Sequence, residues 1–387
     1  MNQTTISDQQ DAEALILGLG MFATGGGGLA SRGRGYFESL LAESFEVSWT
    51  PIQNVDPDTL TCSVFGMGSI APHPAMSAEE RVEFGVPDGE RFERPWIRAV
   101  DELAAHLGQE IGAIIPFELG PSNSLVALDA AVRSNRILVD GDYIGRALPK
   151  MSQALPAVLG HQTWPVSICD PWGHALIMTD AASPATAERI GKMISRVTKA
   201  VDMGASCSHA GFPATASQAS AAVIPGTLSR SLAVGGQVMA ARRDGENPIA
   251  AAVDAVEGYV LFTGEVSERV WADTDDGYME GTTVVRGSGP FVGTQAEVWF
   301  QNEHHLVKVG ERYRAMSPDI IAIVDSADAE PISNTELHEG RDVVVIGIEA
   351  PAPYRVGPAL AATEPRHYGF DFDYVPMEVL NQQGNGE

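Results

Sequence analysis

Cysteine is scarce: Cys62, Cys169 and Cys207 stand far apart and form no C-x-x-C pair, which excludes a disulfide framework and a zinc ribbon and points to a reducing compartment. Long apolar runs are missing as well. No stretch reaches the roughly 18 residues needed to span a bilayer, and the opening MNQTTISDQQDAEA lacks the basic and apolar regions of a secretion signal. The expectation is a cytoplasmic protein without membrane contact. Positive charge is thin, with 25 Lys+Arg against 51 Asp+Glu and a net charge of −26. No basic cluster could track a phosphate backbone, so nucleic acid is not an expected partner.

What is present is a large core-forming chain. Its 387 residues are 44% hydrophobic, enough for at least two domains. Residues 9–23 place Ala12, Leu15, Ile16, Leu19 and Phe22 near helical spacing. This helix runs into four glycines, Gly25 to Gly28, which let the backbone take positive φ and approach a ligand closely. A second helix is expected over about 29–43. The apolar runs at 60–72, 111–119 and 136–142 alternate with amphipathic stretches, the pattern of an α/β domain with a mostly parallel sheet. Ser183 and Pro184 suit the cap and first position of a further helix. The RRDGENP stretch after about 241 reads as a hinge. Short strands separated by Gly, Asp and Asn turns fill 255–350, predicting a C-terminal β-rich small barrel or sandwich. The expected division is an α/β domain over 1–168, a C-terminal domain over 169–375 that is helical to about 245, and a flexible tail over 376–387.

Ligands of such a sheet gather at the carboxyl ends of its strands, which would bring GMGSIAP, FELGPSNS and DGDYIGR to one edge facing the glycine run. The run is neither a G-x-G-x-x-G fingerprint nor a P-loop, so no nucleotide cofactor is expected. Two readings stand for Gly25, Gly26, Gly27 and Gly28: an interhelical turn, or a cradle of amides for an oxyanion or carboxylate. Asp140 and Asp142 are either strand-end turn residues or a pair that binds a divalent metal or divides acid and base roles. Arg146 could hold a substrate carboxylate or pair with an aspartate. Glu118 is either a general base or a solvated acid; Ser122 and Asn123 suit an N-cap or first turn, and Asn123 is also a candidate substrate-binding donor. Cys207 and His209 form a Cys-x-His pair without further ligands and read as a buried thiol and a hydrogen-bonded histidine. His73, His304 and His305 have no evident partner set.

Taken together, ALILGLGMFATGGGG, VDGDYIGRALP and the run PDIIAIVDSADAEPISNTELHEGRDVVVIGIEAPAPYRV followed by EPRHYGFDFDYVP resemble the S-methyl thiohydantoin desulfurase family, whose relatives include hydantoinase and oxoprolinase proteins. The carry-over reaches Gly25 to Gly28, Asp140, Asp142, Gly145, Arg146 and Pro149. The resemblance implies hydrolytic removal of a sulfur substituent from a thiohydantoin-like five-membered ring. Alternatives are ring-opening hydrolysis of a hydantoin or oxoproline-like amide, and a non-catalytic partner subunit of a hydantoinase. In the first scheme Asp140, Asp142 or Glu118 activates water, while the glycine-loop amides, Asn123 and Arg146 stabilise charge on the ring. A small cyclic amide or thioamide is the expected substrate, and a homo-oligomer or a hydantoinase-like partner is left open.

Overall fold

The protein is described by a computed structural model covering residues 4–6, 8–72, 74–86, 89, 91–199 and 207–382; His73 lies outside these. The N-terminal half is built on a mixed six-stranded sheet, and the C-terminal half on a seven-stranded antiparallel half-barrel.

The opening helix Gln9–Phe22 is capped by Asp8, whose side chain accepts from the amides of Gln10 and Asp11. It is apolar almost all round and buried accordingly. It packs so closely against the long helix Thr227–Asp244 that a Cβ on Gly18 would lie 1.8 Å from the Ser231 carbonyl oxygen, and one on Gly235 would lie 1.7 Å from that of Ala14. The next helix, Ala30–Ala42, begins just beyond the glycine run.

In the first sheet, strands Leu60–Met67, Ala113–Ile114 and Ile137–Leu138 pair in parallel, with helices Pro95–Leu107 and Asn123–Arg133 between them in sequence. The rest is antiparallel: Cys207–Thr215 pairs with Leu60–Met67 on one side and Val166–Cys169 on the other, and Ala175–Met178 forms the edge. The parallel reading therefore holds for the βαβ segment. The antiparallel strands come from distant parts of the chain that alternation alone does not connect.

Ser183 caps helix Pro184–Thr198 by accepting from the Thr186 amide, with Pro184 at the first position. RRDGENP is a tight corner: the long helix continues to Asp244, Gly245 adopts φ 74°, and Asn247 caps the helix Pro248–Val256. The second sheet follows, in the order Arg312–Met316, Glu303–Val309, Gln295–Gln301, Met279–Gly287, Tyr259–Asp273, Asp342–Ile348 and Ile320–Asp325. Beyond it, Met377–Gln382 forms a helix with Met377 buried, where the sequence predicts a frayed tail. Among the described residues no helix is long and apolar enough to cross a membrane.

Candidate active site

A cavity of about 510 Å³ opens where the two halves meet. Its wall includes Gly25 to Gly28, the strand-end segment Gly66 to Gly68, Glu118, Ser122, Asn123, Lys192, Cys207 and Glu303. The glycine loop, Glu118 and Asn123 thus come together as the strand-end rule anticipates, whereas Asp140, Asp142 and Arg146 do not line this cavity.

The glycine loop is tied to both halves. The Gly27 carbonyl accepts from the amides of Ser122 and Asn123, while the Thr24 and Gly25 carbonyls accept from the amides of His304 and Asn334. Gly25 has φ +84°, and a Cβ there would stand 2.6 Å from the His304 ring. A Cβ on Gly26 would stand 1.8 Å from Glu303 Oε1. The absent side chain is therefore the room in which the Glu303 carboxyl sits.

Glu118 is buried, and its oxygens accept from Asn123 Nδ2 at 2.7 Å and the Leu148 amide at 3.1 Å. Asn123 is fixed in turn, its Oδ1 accepting from the Gly66 amide at 3.0 Å. Burial pushes the Glu118 carboxyl up to about 7 against these two donors. Glu303 enters from the other half, directly after Asn302, the hairpin residue at φ +58° between Gln301 and Glu303. Asn tolerates that left-handed backbone. Glu303 is also buried, and among the described residues its Oε2 has no hydrogen-bond partner. Burial and the nearby Glu118 charge hold its carboxyl well above the usual range. Two donors favour ionisation of Glu118 while Glu303 Oε2 has none among the described residues, so Glu118 is the first of the pair to give up its proton.

Helix Pro184–Thr198 adds Glu188 and Lys192, a buried ion pair at 3.4 Å. Glu188 also accepts from the Met151 amide at 2.7 Å and from the Tyr278 hydroxyl. Cys207 stands in the wall with its thiol 3.3 Å from Thr198 Oγ1, and burial pushes it up to about 12. That disfavours the thiolate a nucleophile needs. His209, stacked on Phe65 with centroids 6.0 Å apart, is pushed down to about 4 by burial.

The VDGDYIGRALP stretch performs a different task. Asp140 accepts from the amide and hydroxyl of Ser229 at 3.1 and 2.6 Å, and its carbonyl accepts from the Gly226 amide. Helix Thr227–Asp244 has no side-chain cap of its own, so Asp140 supplies one from across the fold and complements the helix dipole. Asp142 Oδ2 accepts from the amides of Ile144 and Gly145 at 2.9 and 2.6 Å, closing a local turn. Arg146 is buried and donates to the carbonyls of Ala147, His304, Pro318 and Asp319 and to the Thr24 hydroxyl. It is a clip between the halves, where the sequence admits a carboxylate clamp. His304 is enclosed by the Ile321 carbonyl and Asn334, and His305 lies against Tyr368 at 4.1 Å between ring centroids.

Two S-Me-THD-like family models match the chain, one for the N-terminal domain over residues 10–180 and one for the C-terminal domain over 183–377. The chain belongs to the S-Me-THD-like family. Among curated proteins none matches. The fold of this family member is similar to a crystal structure of a protein from Chromobacterium violaceum, with a TM-score of 0.72 and 21% identity over 97% of this chain and 100% of that one.

No three His, Cys, Asp or Glu side chains are gathered to hold a metal among the described residues. Asp140 and Asp142 do not fit a bridged ion either: one faces Ser229 and the other its own following turn. Glu303, Glu188 and Lys192 are the wall residues that sequence reasoning missed. Glu188 and Lys192 have the i,i+4 spacing of an exposed helix pair. The cue for Glu303 was an acid directly after a turn-forming Asn inside an otherwise strand-like run.

Proposed function

We propose that the cavity hydrolyses a sulfur substituent from a thiohydantoin-like ring, with Glu118 as the base and Glu303 as the acid. The reading rests on two buried carboxyls, one from each half, in one cavity, of which Glu118 is held by two donors while Glu303 Oε2 has none among the described residues. Membership in the S-Me-THD-like family supports this choice of reaction.

Ionised Glu118 takes a proton from water as the water oxygen bonds to the ring carbon bearing sulfur, while Glu303 gives its proton to the adjacent ring nitrogen. In the tetrahedral adduct, Glu303 as carboxylate removes the new hydroxyl proton, and the carbon–oxygen double bond forms. The carbon–sulfur bond then breaks, and the leaving thiolate takes the proton held by Glu118. Ring carbonyl and free thiol are the products, and both glutamates return to their starting states. Glu118 is oriented by Asn123 and the Leu148 amide, a pre-set geometry that costs no reorganisation during reaction.

The test is thiol release from S-methylated thiohydantoins by the wild type, Glu118→Gln and Glu303→Gln. Each substitution is expected to reduce kcat by at least about a hundredfold, the scale of losing a positioned acid or base. Wild-type rates in either variant, or carboxylate release by ring opening without thiol, would refute the scheme.

A further inference from the structure

Lys192 is the one lysine among the described residues lining the cavity. It is almost entirely buried, and its position is set by both halves of the molecule. Its Nζ donates to the Pro149 carbonyl at 3.3 Å and to Gly277 at 3.4 Å, faces Glu188 at 3.4 Å, and lies 3.3 Å from the centre of the Tyr278 ring. Gly277 and Tyr278 belong to the tip of the hairpin formed by Tyr259–Asp273 and Met279–Gly287. That tip reaches back to the helix at further points, since Arg196 donates to the carbonyls of Thr274 and Asp275. A buried ammonium is costly to desolvate, and such a set of acceptors with an aromatic face is what keeps it charged.

We propose that Lys192 is a positioning residue for Glu303: its ammonium, clamped between helix Pro184–Thr198 and the hairpin tip, stabilises the carboxylate that Glu303 becomes on giving up its proton. The inference rests on the acid role assigned to Glu303 above. Glu118, Lys192 and Glu303 line the same cavity; the Glu118 charge disfavours ionisation of Glu303, and those of Arg146 and Lys192 favour it. Arg146 lies outside the cavity lining and is bound to carbonyls, so of these two cations Lys192 is the one that shares the cavity wall with Glu303. On the Lys192 side, Glu188 and Glu303 favour its charge, and burial and Lys150 oppose it.

Glu188 holds donors from Met151 and Tyr278 besides its ion pair with Lys192. Without the ammonium, Glu303 would hold its proton more tightly. Protonation of the ring nitrogen would slow, and the basic limb of the pH–rate profile would move to higher pH.

The test compares the wild type with Lys192→Met and with the double variant Lys192→Met/Glu188→Gln, which removes both charges and so leaves no buried acid stranded. The infrared carbonyl stretch of protonated Glu303, assigned by its loss in Glu303→Gln, is titrated without substrate. Its midpoint should rise by about one pH unit or more in both variants, the scale of losing a nearby opposite charge. With S-methylated thiohydantoin as substrate, kcat should fall at least about tenfold while KM changes little, because the lost interaction belongs to the transition state. An unmoved Glu303 midpoint in the double variant, or a wild-type kcat in it, would overturn the proposal. If the wild type released no thiol, the reaction assignment would fail, while the carboxyl titration would still decide whether Lys192 acts on Glu303.

Discussion

Replacing Asp142 by Asn separates a structural carboxyl from a catalytic one through the pH dependence of stability. Burial raises Asp142 from the ordinary 3.8 to about 7, against the pull of the Gly145 and Ile144 amides. Between those values the folded chain binds a proton that the unfolded chain has released, so stability falls as pH rises. The stabilising contribution is complete below about 3.8 and lost as pH passes through about 7. At about 1.4 kcal/mol for each unit of that gap, the group removes roughly 2.5 kcal/mol of stability between about pH 5 and about pH 8. An Asn oxygen can accept the same two amide protons and never ionises. Urea unfolding of wild type and variant at the two pH values, followed by the fluorescence of the six tryptophans, should show the variant gaining that amount relative to wild type at the higher pH. A pH-independent difference would refute the argument. So would a loss of turnover as deep as in Glu118→Gln, because the predicted kinetic effect is only a shift of the acidic limb to lower pH as the Asp142 charge near Glu118 disappears.

Other outcomes follow from the same contacts. Arg146→Met strands the carbonyls of Ala147, His304, Pro318 and Asp319; it should cost roughly 4 kcal/mol in urea unfolding, the price of several unmet buried acceptors, and a loss below about 1 kcal/mol would count against the clip. Gly26→Ala drives a methyl into the place of Glu303 Oε1, so it should retain a cooperative melt yet lose at least about tenfold in kcat, since acid–base catalysis needs hydrogen-bond reach. The pH–rate profile of the wild type should rise with an apparent pKa near 7, as Glu118 ionises, and fall at higher pH as Glu303 loses its proton; a profile flat across neutrality would contradict the pair.

The sequence made legible what local chemistry controls. The helix ending at the glycine run, the Ser183 cap with Pro184 behind it and the parallel βαβ segment follow from periodicity, capping and turn propensity. Glu118 and Asn123 could be placed beside the glycine loop because parallel strands deliver their carboxyl ends to one edge. Asp140, Asp142 and Arg146 show where that logic stops. Their residue types suit catalysis, but Ser229, the Ile144 and Gly145 amides and four carbonyls engage them, and those partners depend on backbone positions that residue type does not encode. Glu303 is invisible from Glu118 for a related reason: the two are brought together by the docking of one half on the other.

The central position of Cys207–Thr215 in the first sheet bears on how the chain can be divided. The family match changes from one domain to the other between residues 180 and 183, yet this strand, from beyond that point, joins Leu60–Met67 to Val166–Cys169. A fragment ending near 180 would hold two pieces of sheet with no hydrogen bonds between them, each with an unpaired inner edge open to other chains. The N-terminal half is therefore expected to associate or aggregate when made alone and to become monodisperse when the missing strand is supplied in trans.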